Sequence, residues 1–125
     1  MLLDSSLFID LIRKYPPAIE AFKKVLSRQS TSTVAKLEIV AGLKTKKEIK
    51  SVEKMLEDLQ IKVLPVNEEV TETSEKIFLK YYHSHGIGIL DSLIAATALV
   101  HNEELVTRNT KHFDFIPNLK LIKPY

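Results

Sequence analysis

The chain contains no cysteine. Disulfide bridges and thiolate zinc centres are excluded, and a reducing cytoplasm is the expected setting. No run approaches the roughly 18 apolar residues that a membrane span requires, so no membrane association is expected. A secretory leader is not expected either. The first apolar stretch is broken by Asp4 and Asp10, and positive charge follows it at Arg13 and Lys14 instead of preceding it. Repeats, low-complexity tracts and linkers are lacking, so residues 1–125 are expected to form a single domain. Neither sign of charge dominates. Eighteen basic against 16 acidic side chains leave a net charge of +2, which permits a nucleic-acid partner without demanding one. Apolar residues make up 45% of the chain, enough to build a core with no metal or disulfide staple.

What is present is an alternation of short strand signals with helical pairs. Leu2-Leu3 reads as a buried strand ending at Asp4, and Ser5-Ser6 suits a helix start. Leu7, Phe8, Leu11 and Ile12 repeat at helical spacing. Tyr15-Pro16-Pro17 closes that helix and opens another, with an apolar stripe of Ala18, Ile19, Phe22, Val25 and Leu26. Residues 29–33 read as a polar strand, residues 34–43 as a helix carrying Glu38 and Gly42, and residues 45–59 as a further helix. Ile49, Val52, Leu56 and Leu59 line one face of the latter, either as core or as a subunit or partner interface. Residues 61–66 predict a strand limited by Pro65. Asn67 predicts the cap of a long helix to about Tyr82, with an apolar row of Val70, Thr73, Ile77 and Tyr81. A His85–Gly88 loop precedes the Asp91 helix, where Ala95, Ala96 and Ala98 allow close approach to a sheet. Residues 104–107 read as a strand, 108–117 as a loop with one helical turn, and 119–122 as a last, edge strand. This order predicts an α/β fold, a parallel sheet of five strands (or four plus an edge) with helices on both faces and right-handed connections.

Three carboxylates stand where such strands or loops hand over to helices: Asp4, Glu38 and Asp91. Ligands of open parallel sheets gather beyond the carboxyl ends of the strands, where strand order reverses. Oxygen-rich clusters of this kind suit hard cations such as Mg²⁺ and Mn²⁺. Each residue also has a plainer reading. Asp4 and Asp91 suit helix N-caps, Glu38 an exposed helix carboxylate, and Asp10 a solvated or supporting position. His83 and His85 lack a third zinc ligand nearby and read as exposed residues at a helix end. Lys46, Lys47, Lys50 and Lys54, interleaved with glutamates, read as a solvated face.

Four segments, in order, resemble the motifs of PIN domains, and most closely the VapC toxins of bacterial and archaeal toxin–antitoxin pairs. They are Leu3-Asp4-Ser5-Ser6-Leu7-Phe8-Ile9-Asp10, Leu37-Glu38-Ile39-Val40-Ala41-Gly42, Asp91-Ser92-Leu93-Ile94-Ala95-Ala96-Thr97-Ala98 and Val106-Thr107-Arg108-Asn109-Thr110-Lys111-His112-Phe113. The resemblance covers nearly the whole chain. It implies a metal-dependent endoribonuclease that hydrolyses RNA phosphodiesters to 5′-phosphate and 3′-hydroxyl ends. It also implies an inhibitory VapB-like antitoxin and a homodimer. By match, Asp4, Glu38 and Asp91 are the catalytic carboxylates, with Asp4 and Asp91 as metal ligands and Glu38 completing the site or orienting the attacking water. Such a cation would relieve carboxylate repulsion and lower the pKa of a bound water. Ser6 and Thr107 would fix carboxylate rotamers. Asn109 stands at the family's fourth position, often aspartate, which favours one well-bound cation over two. Asp114 is a minor substitute. Arg108 and Lys111, flanking the site, are the expected phosphate contacts.

Two other readings compete. A PIN-like module that binds RNA or protein without catalysis draws support from Asn109. A phosphoacceptor signalling domain also gathers acids at a sheet edge, but the early carboxylate here is followed by serines and no phosphoacceptor strand stands mid-chain.

Overall fold

Consecutive residues of a strand face opposite sides of its sheet, and here that alternation divides one core into two. The computed structural model describes residues 1–24 and 29–125. The elements follow the order β1 (Leu2–Leu3), α1 (Ser5–Ile12), α2 (Pro16–Lys24), β2 (Ser30–Ser32), α3 (Thr33–Ala41), α4 (Lys46–Asp58), β3 (Lys62–Leu64), α5 (Glu68–His85), α6 (Ile89–Val100), β4 (Leu105–Val106) and β5 (Leu121–Ile122). A 3-10 turn spans Thr110–His112 between the last two strands. This is the expected alternation. Val25 and Leu26 of the expected α2 stripe lie outside the described residues.

All strand pairs are parallel, in the order β3-β2-β1-β4-β5. The strand order therefore reverses between β1 and β4, where Leu2 pairs with Leu105 and Leu3 with Val106. The last strand is an edge, as expected. Leu2 and Leu105 join the core layer of α5 and α6, with Val70, Ile77, Ile94 and the alanines. Leu3 and Val106 join the opposite layer, with Leu7, Phe8, Ile39, Val52 and Leu56. Ala95, Ala96 and Ala98 are fully buried, as the close approach of α6 requires. Polar β2 is buried too, and its hydroxyls are satisfied. Ser30 donates to the Met1 carbonyl at 3.2 Å and Thr31 to the Leu3 carbonyl at 2.8 Å. The Ser32 oxygen accepts from Ala35 N–H at 2.9 Å and so caps α3.

Helix α1 starts at Ser5 as expected, and Asp4 caps it by accepting from Ser5 N–H, one of the two readings of that residue. Some local expectations need correction. Gly88 is the N-cap of α6, so Asp91 sits in the first turn and does not cap. Helix α3 stops before Gly42, which is its C-cap. On α4, Val52 and Leu56 are buried in the core, which removes them from any interface, while Leu59 stays exposed. Among the described residues no helix is long and apolar enough to cross a membrane.

The junction between α5 and α6 turns on Gly86. Its φ is +65° and its N–H donates to the Tyr82 carbonyl at 2.8 Å, ending α5 in a left-handed cap. A Cβ there would meet no neighbour, so the cost of a side chain is purely conformational. Gly86→Ala is expected to destabilise the fold by about 1–2 kcal/mol. Urea denaturation measures it, and an unchanged midpoint would refute the left-handed requirement.

Candidate active site

Because β1 is central, the residue that leaves its carboxyl end emerges at the strand-order reversal. That residue is Asp4, only 5% exposed. A buried carboxylate must be well hydrogen-bonded, and this one is. Its Oδ1 accepts from Ser5 N–H at 2.8 Å, and its Oδ2 accepts from the Thr107 hydroxyl at 2.7 Å. The Ser6 hydroxyl stands 3.4 Å from Oδ2. Thr107 leaves β4 as Asp4 leaves β1, so strand pairing itself brings the two together. The Thr107 oxygen in turn accepts from Asn109 N–H at 3.0 Å. Such a chain of hydrogen bonds polarises along its length.

Glu38 is carried by α3, which packs on both α1 and α6. Its Oε1 accepts from the Ser5 hydroxyl at 3.2 Å, and the same hydroxyl lies 3.4 Å from Asp4 Oδ1. One serine proton thus links two carboxylates. Asp91 occupies the first turn of α6, where the helix dipole favours an anion. Its Oδ2 lies 3.2 Å from His112 Nδ1.

The three carboxylates feel one another. Burial is the main reason that Glu38 holds a proton more tightly than an ordinary carboxyl; the negative charge of Asp4, and less so of Asp91, adds to it. Asp91 is raised first by burial and also by Asp4, against the opposing pull of His112. As they lie, no three acidic or histidine side chains among the described residues stand close enough to share one ion. The bonds explain why: Glu38 is tied to Ser5, Asp91 to His112, and both oxygens of Asp4 accept from neighbours. The chemistry of the donors still suits a hard dication, since oxygen is the donor throughout and burial, with the charge of Asp4 added, raises the proton affinity of two of the three.

The remaining expected residues divide. Asn109 is exposed and makes no side-chain cap bond to the 3-10 turn. Lys111 is exposed on that turn, and Asp114 is exposed just beyond it. Arg108 is placed differently from a free phosphate contact. Its Nη1 donates to Asp10 Oδ2 at 2.6 Å, and its guanidinium lies 5.4 and 5.3 Å from the rings of Tyr15 and Tyr125. Tyr125 OH also donates to Asp10 Oδ2, at 2.9 Å. His83 and His85 are exposed, and the His85 ring stacks on Phe115 at 4.2 Å. Sequence reasoning missed the bridging role of Ser5 and the contact of His112 with Asp91. Ser5 carried a signal, since it adjoins Asp4. His112 carried none, because only the fold brings it to Asp91.

Known proteins give the arrangement its context. The family described as PIN domain matches residues 1–117. Ribonuclease VapC19 of Mycobacterium tuberculosis is 28% identical over 123 residues, covering 95% of this chain and 96% of that protein. A toxin–antitoxin complex from Klebsiella pneumoniae contains a chain that superposes with a TM-score of 0.79 at 27% identity, over 99% of this chain and 97% of that one. VapBC-1 from nontypeable Haemophilus influenzae contains another, with a TM-score of 0.78 at 26% identity, over 98% and 96% of the two chains.

The charge crowding has a measurable consequence. A carboxyl whose proton is held more tightly in the folded state stabilises the fold fully below its unfolded pKa, and that contribution is lost as pH rises through the folded value. Ionised Glu38 is therefore a burden above the ordinary carboxylate range. In EDTA, Glu38→Gln is expected to raise the melting temperature at pH 7. The gain should shrink as pH falls through and below the raised pKa and wild-type Glu38 takes up its proton. Calorimetry at a series of pH values tests this, and a variant less stable than wild type at pH 7 would remove the crowding argument.

Proposed function

The chain belongs to the PIN-domain family, and from that premise we propose that it is a VapC-like toxin: an endoribonuclease that depends on a divalent cation and is neutralised by a VapB-like antitoxin. The observation that supports this reading is the coupling of Asp4, Glu38 and Asp91 near the β1/β4 strand reversal: the Ser5 hydroxyl reaches both Asp4 and Glu38, and the charge of Asp4 acts on both other carboxylates. The relatives named ribonucleases and the toxin chains in toxin–antitoxin complexes support it.

In this reading Asp4 and Asp91 would hold Mg²⁺, or Mn²⁺, and Glu38 would complete the site or orient the attacking water. The cation, when bound, supplies Lewis acidity and offsets phosphate charge. The protein's own groups do the rest. Thr107, Ser5 and Ser6 fix the rotamer of Asp4. Glu38, with its raised proton affinity, is suited to orient water and take its proton. The water oxygen attacks phosphorus in line, the bond from phosphorus to the 3′-oxygen breaks, and the departing 3′-oxygen takes a proton from solvent. The products carry a 5′-phosphate and a 3′-hydroxyl. Exposed Lys111 is the proposed contact for a flanking phosphate. His112 lies 3.2 Å from Asp91 Oδ2 and would fix its orientation.

An antitoxin would inhibit by placing a basic side chain among the carboxylates, because a cationic fork fits where a metal does. A homodimer is also part of the proposal. Leu79 and Ile89 are 69% and 65% exposed near the α5–α6 turn, with Tyr82 and Leu90 beside them, which supplies apolar surface for a second copy. The competing reading, a non-catalytic RNA- or protein-binding module, rests on Asn109, whose neutral amide stands where the family often has a carboxylate.

One panel of structured RNAs decides between them, incubated in Mg²⁺, Mn²⁺ and EDTA. Wild type is expected to cut only with a cation. Asp4→Asn and Asp91→Asn are each expected to lose at least about 100-fold. Asparagine still caps a helix, so Asp4→Asn keeps the fold of α1. Full activity in either variant would refute the site, and binding of RNA without cleavage in any metal would establish the non-catalytic module. Asn109→Asp is expected to raise activity at limiting cation by adding the absent charge, and an unchanged cation requirement would show that this position does not reach the ion.

A further inference from the structure

We infer that Asp10, Tyr15 and Tyr125 form a cage that makes Arg108 a positioning residue: it anchors the Thr107–Asn109 segment and so sets the orientation of Asp4. The inference rests on the ribonuclease reading above for its catalytic consequence, but its structural basis is independent.

Arg108 lies between two residues that act on Asp4 in series. The Asn109 N–H donates to the Thr107 hydroxyl at 3.0 Å, and that hydroxyl donates to Asp4 Oδ2 at 2.7 Å. Thr107 is fixed to β5 by its N–H to the Ile122 carbonyl at 3.0 Å, so the position of residue 108 decides whether the Asn109 N–H reaches the Thr107 hydroxyl. The guanidinium is held from three directions. Asp10, near the end of α1, accepts from Nη1 at 2.6 Å. Tyr15, in the turn to α2, and Tyr125, beyond β5, place their rings on it, and the two rings meet edge to face at 5.8 Å.

An exposed ion pair alone is a weak tether. This one is reinforced. The Asp10 side chain is 13% exposed against 41% for Arg108, and the oxygen that receives Arg108 also receives the Tyr125 hydroxyl at 2.9 Å. Burial and the bond to Asp10 push the Tyr125 phenol up to about 12, so it remains a donor throughout the physiological range. A planar guanidinium stacks on rings and spans a carboxylate in ways that an ammonium cannot. The cage thus joins the outer end of α1, the α1–α2 turn and the segment after β5 to the loop that leaves β4.

The alternative use of Arg108, as a phosphate contact, predicts the opposite response to loss of Asp10. A released guanidinium would bind RNA better and lower KM. A positioning role predicts a lower kcat with KM little changed. The experiment compares wild type, Asp10→Asn, Tyr125→Phe, Arg108→Gln and Arg108→Lys, with Asp4→Asn as the inactive control. Two quantities are measured: steady-state cleavage of an RNA that wild type cuts in Mg²⁺, and amide hydrogen exchange at Asn109 in cation-free protein.

Arg108→Gln and Asp10→Asn are expected to lower kcat by about 10- to 100-fold, the range typical of groups that orient a site carboxylate. The Asn109 amide should exchange at least about tenfold faster in both, as expected when a local bond opens. Arg108→Lys should not restore kcat. Tyr125→Phe, which removes one hydroxyl and keeps the ring, should give a smaller change in the same direction, and it decides the matter if the other variants fail to fold. Unchanged exchange at Asn109, an unchanged kcat, or a lower KM in Asp10→Asn would overturn the inference. If wild type cuts no RNA, the ribonuclease reading falls on that result, and the exchange data alone then decide whether the cage holds the segment.

Discussion

Almost everything at the functional edge of this protein follows from burying the Asp4 carboxylate. A charge at 5% exposure is tolerable only with bonds to it, and the bond from Thr107 supplies the shortest of them at 2.7 Å. That bond spans 103 positions of sequence, so it exists only if β4 lies beside β1 in parallel. Parallel neighbours in turn demand a crossover, and the one that returns the chain to β4 runs through α5 and α6. For that crossover to lie against the sheet, α6 must approach it closely, which its buried alanines permit. The same geometry leaves Asp91 in the first turn of α6, near Asp4. A single hydrogen-bonding requirement at the strand reversal is thus satisfied by the topology that also assembles the rest of the site.

The cost of that assembly is electrostatic. Glu38 and Asp91 both hold protons more tightly than isolated carboxyls, and each is raised in part by Asp4. A protein selected only for stability would dilute this charge. Here neighbours contain it locally: the Ser5 hydroxyl bridges Asp4 and Glu38, and His112 takes one oxygen of Asp91. Groups whose charge opposes folding are common where function and stability compete.

The fold was legible in the sequence because its signals are local. Leu2-Leu3-Asp4 declares a short strand and its end, Asn67 declares a cap, and the alanines of α6 declare a close contact. The order of elements follows from such signals, and the parallel sheet follows from the order. One short-range detail escaped for a physical reason. At α6 the chain enters through Gly88 with no side-chain cap, so Asp91 sits in the first turn and does not cap. What no local signal could show is pairing across the chain. His112 meets Asp91, and Asp10 meets both Arg108 and Tyr125 across 98 and 115 positions. Residue type predicts that a charge will find a partner but not which one.

Arg108 shows why this matters for function. An arginine beside three carboxylates invites assignment to the substrate's phosphate, and the charge alone permits it. Pairing removes that freedom, since Asp10 already neutralises the guanidinium and two rings confine it. The site is then more negative than its sequence neighbourhood suggests, while the whole chain carries a net charge of only +2. So small an excess exerts little long-range pull on a polyanion once salt screens it. On the proposed ribonuclease reading, attraction of RNA to this edge would come from a bound cation and from exposed side chains such as Lys111. Occupancy of the proposed cation site would then govern substrate approach as well as chemistry, and a partner that filled it with its own cationic group would block both at once.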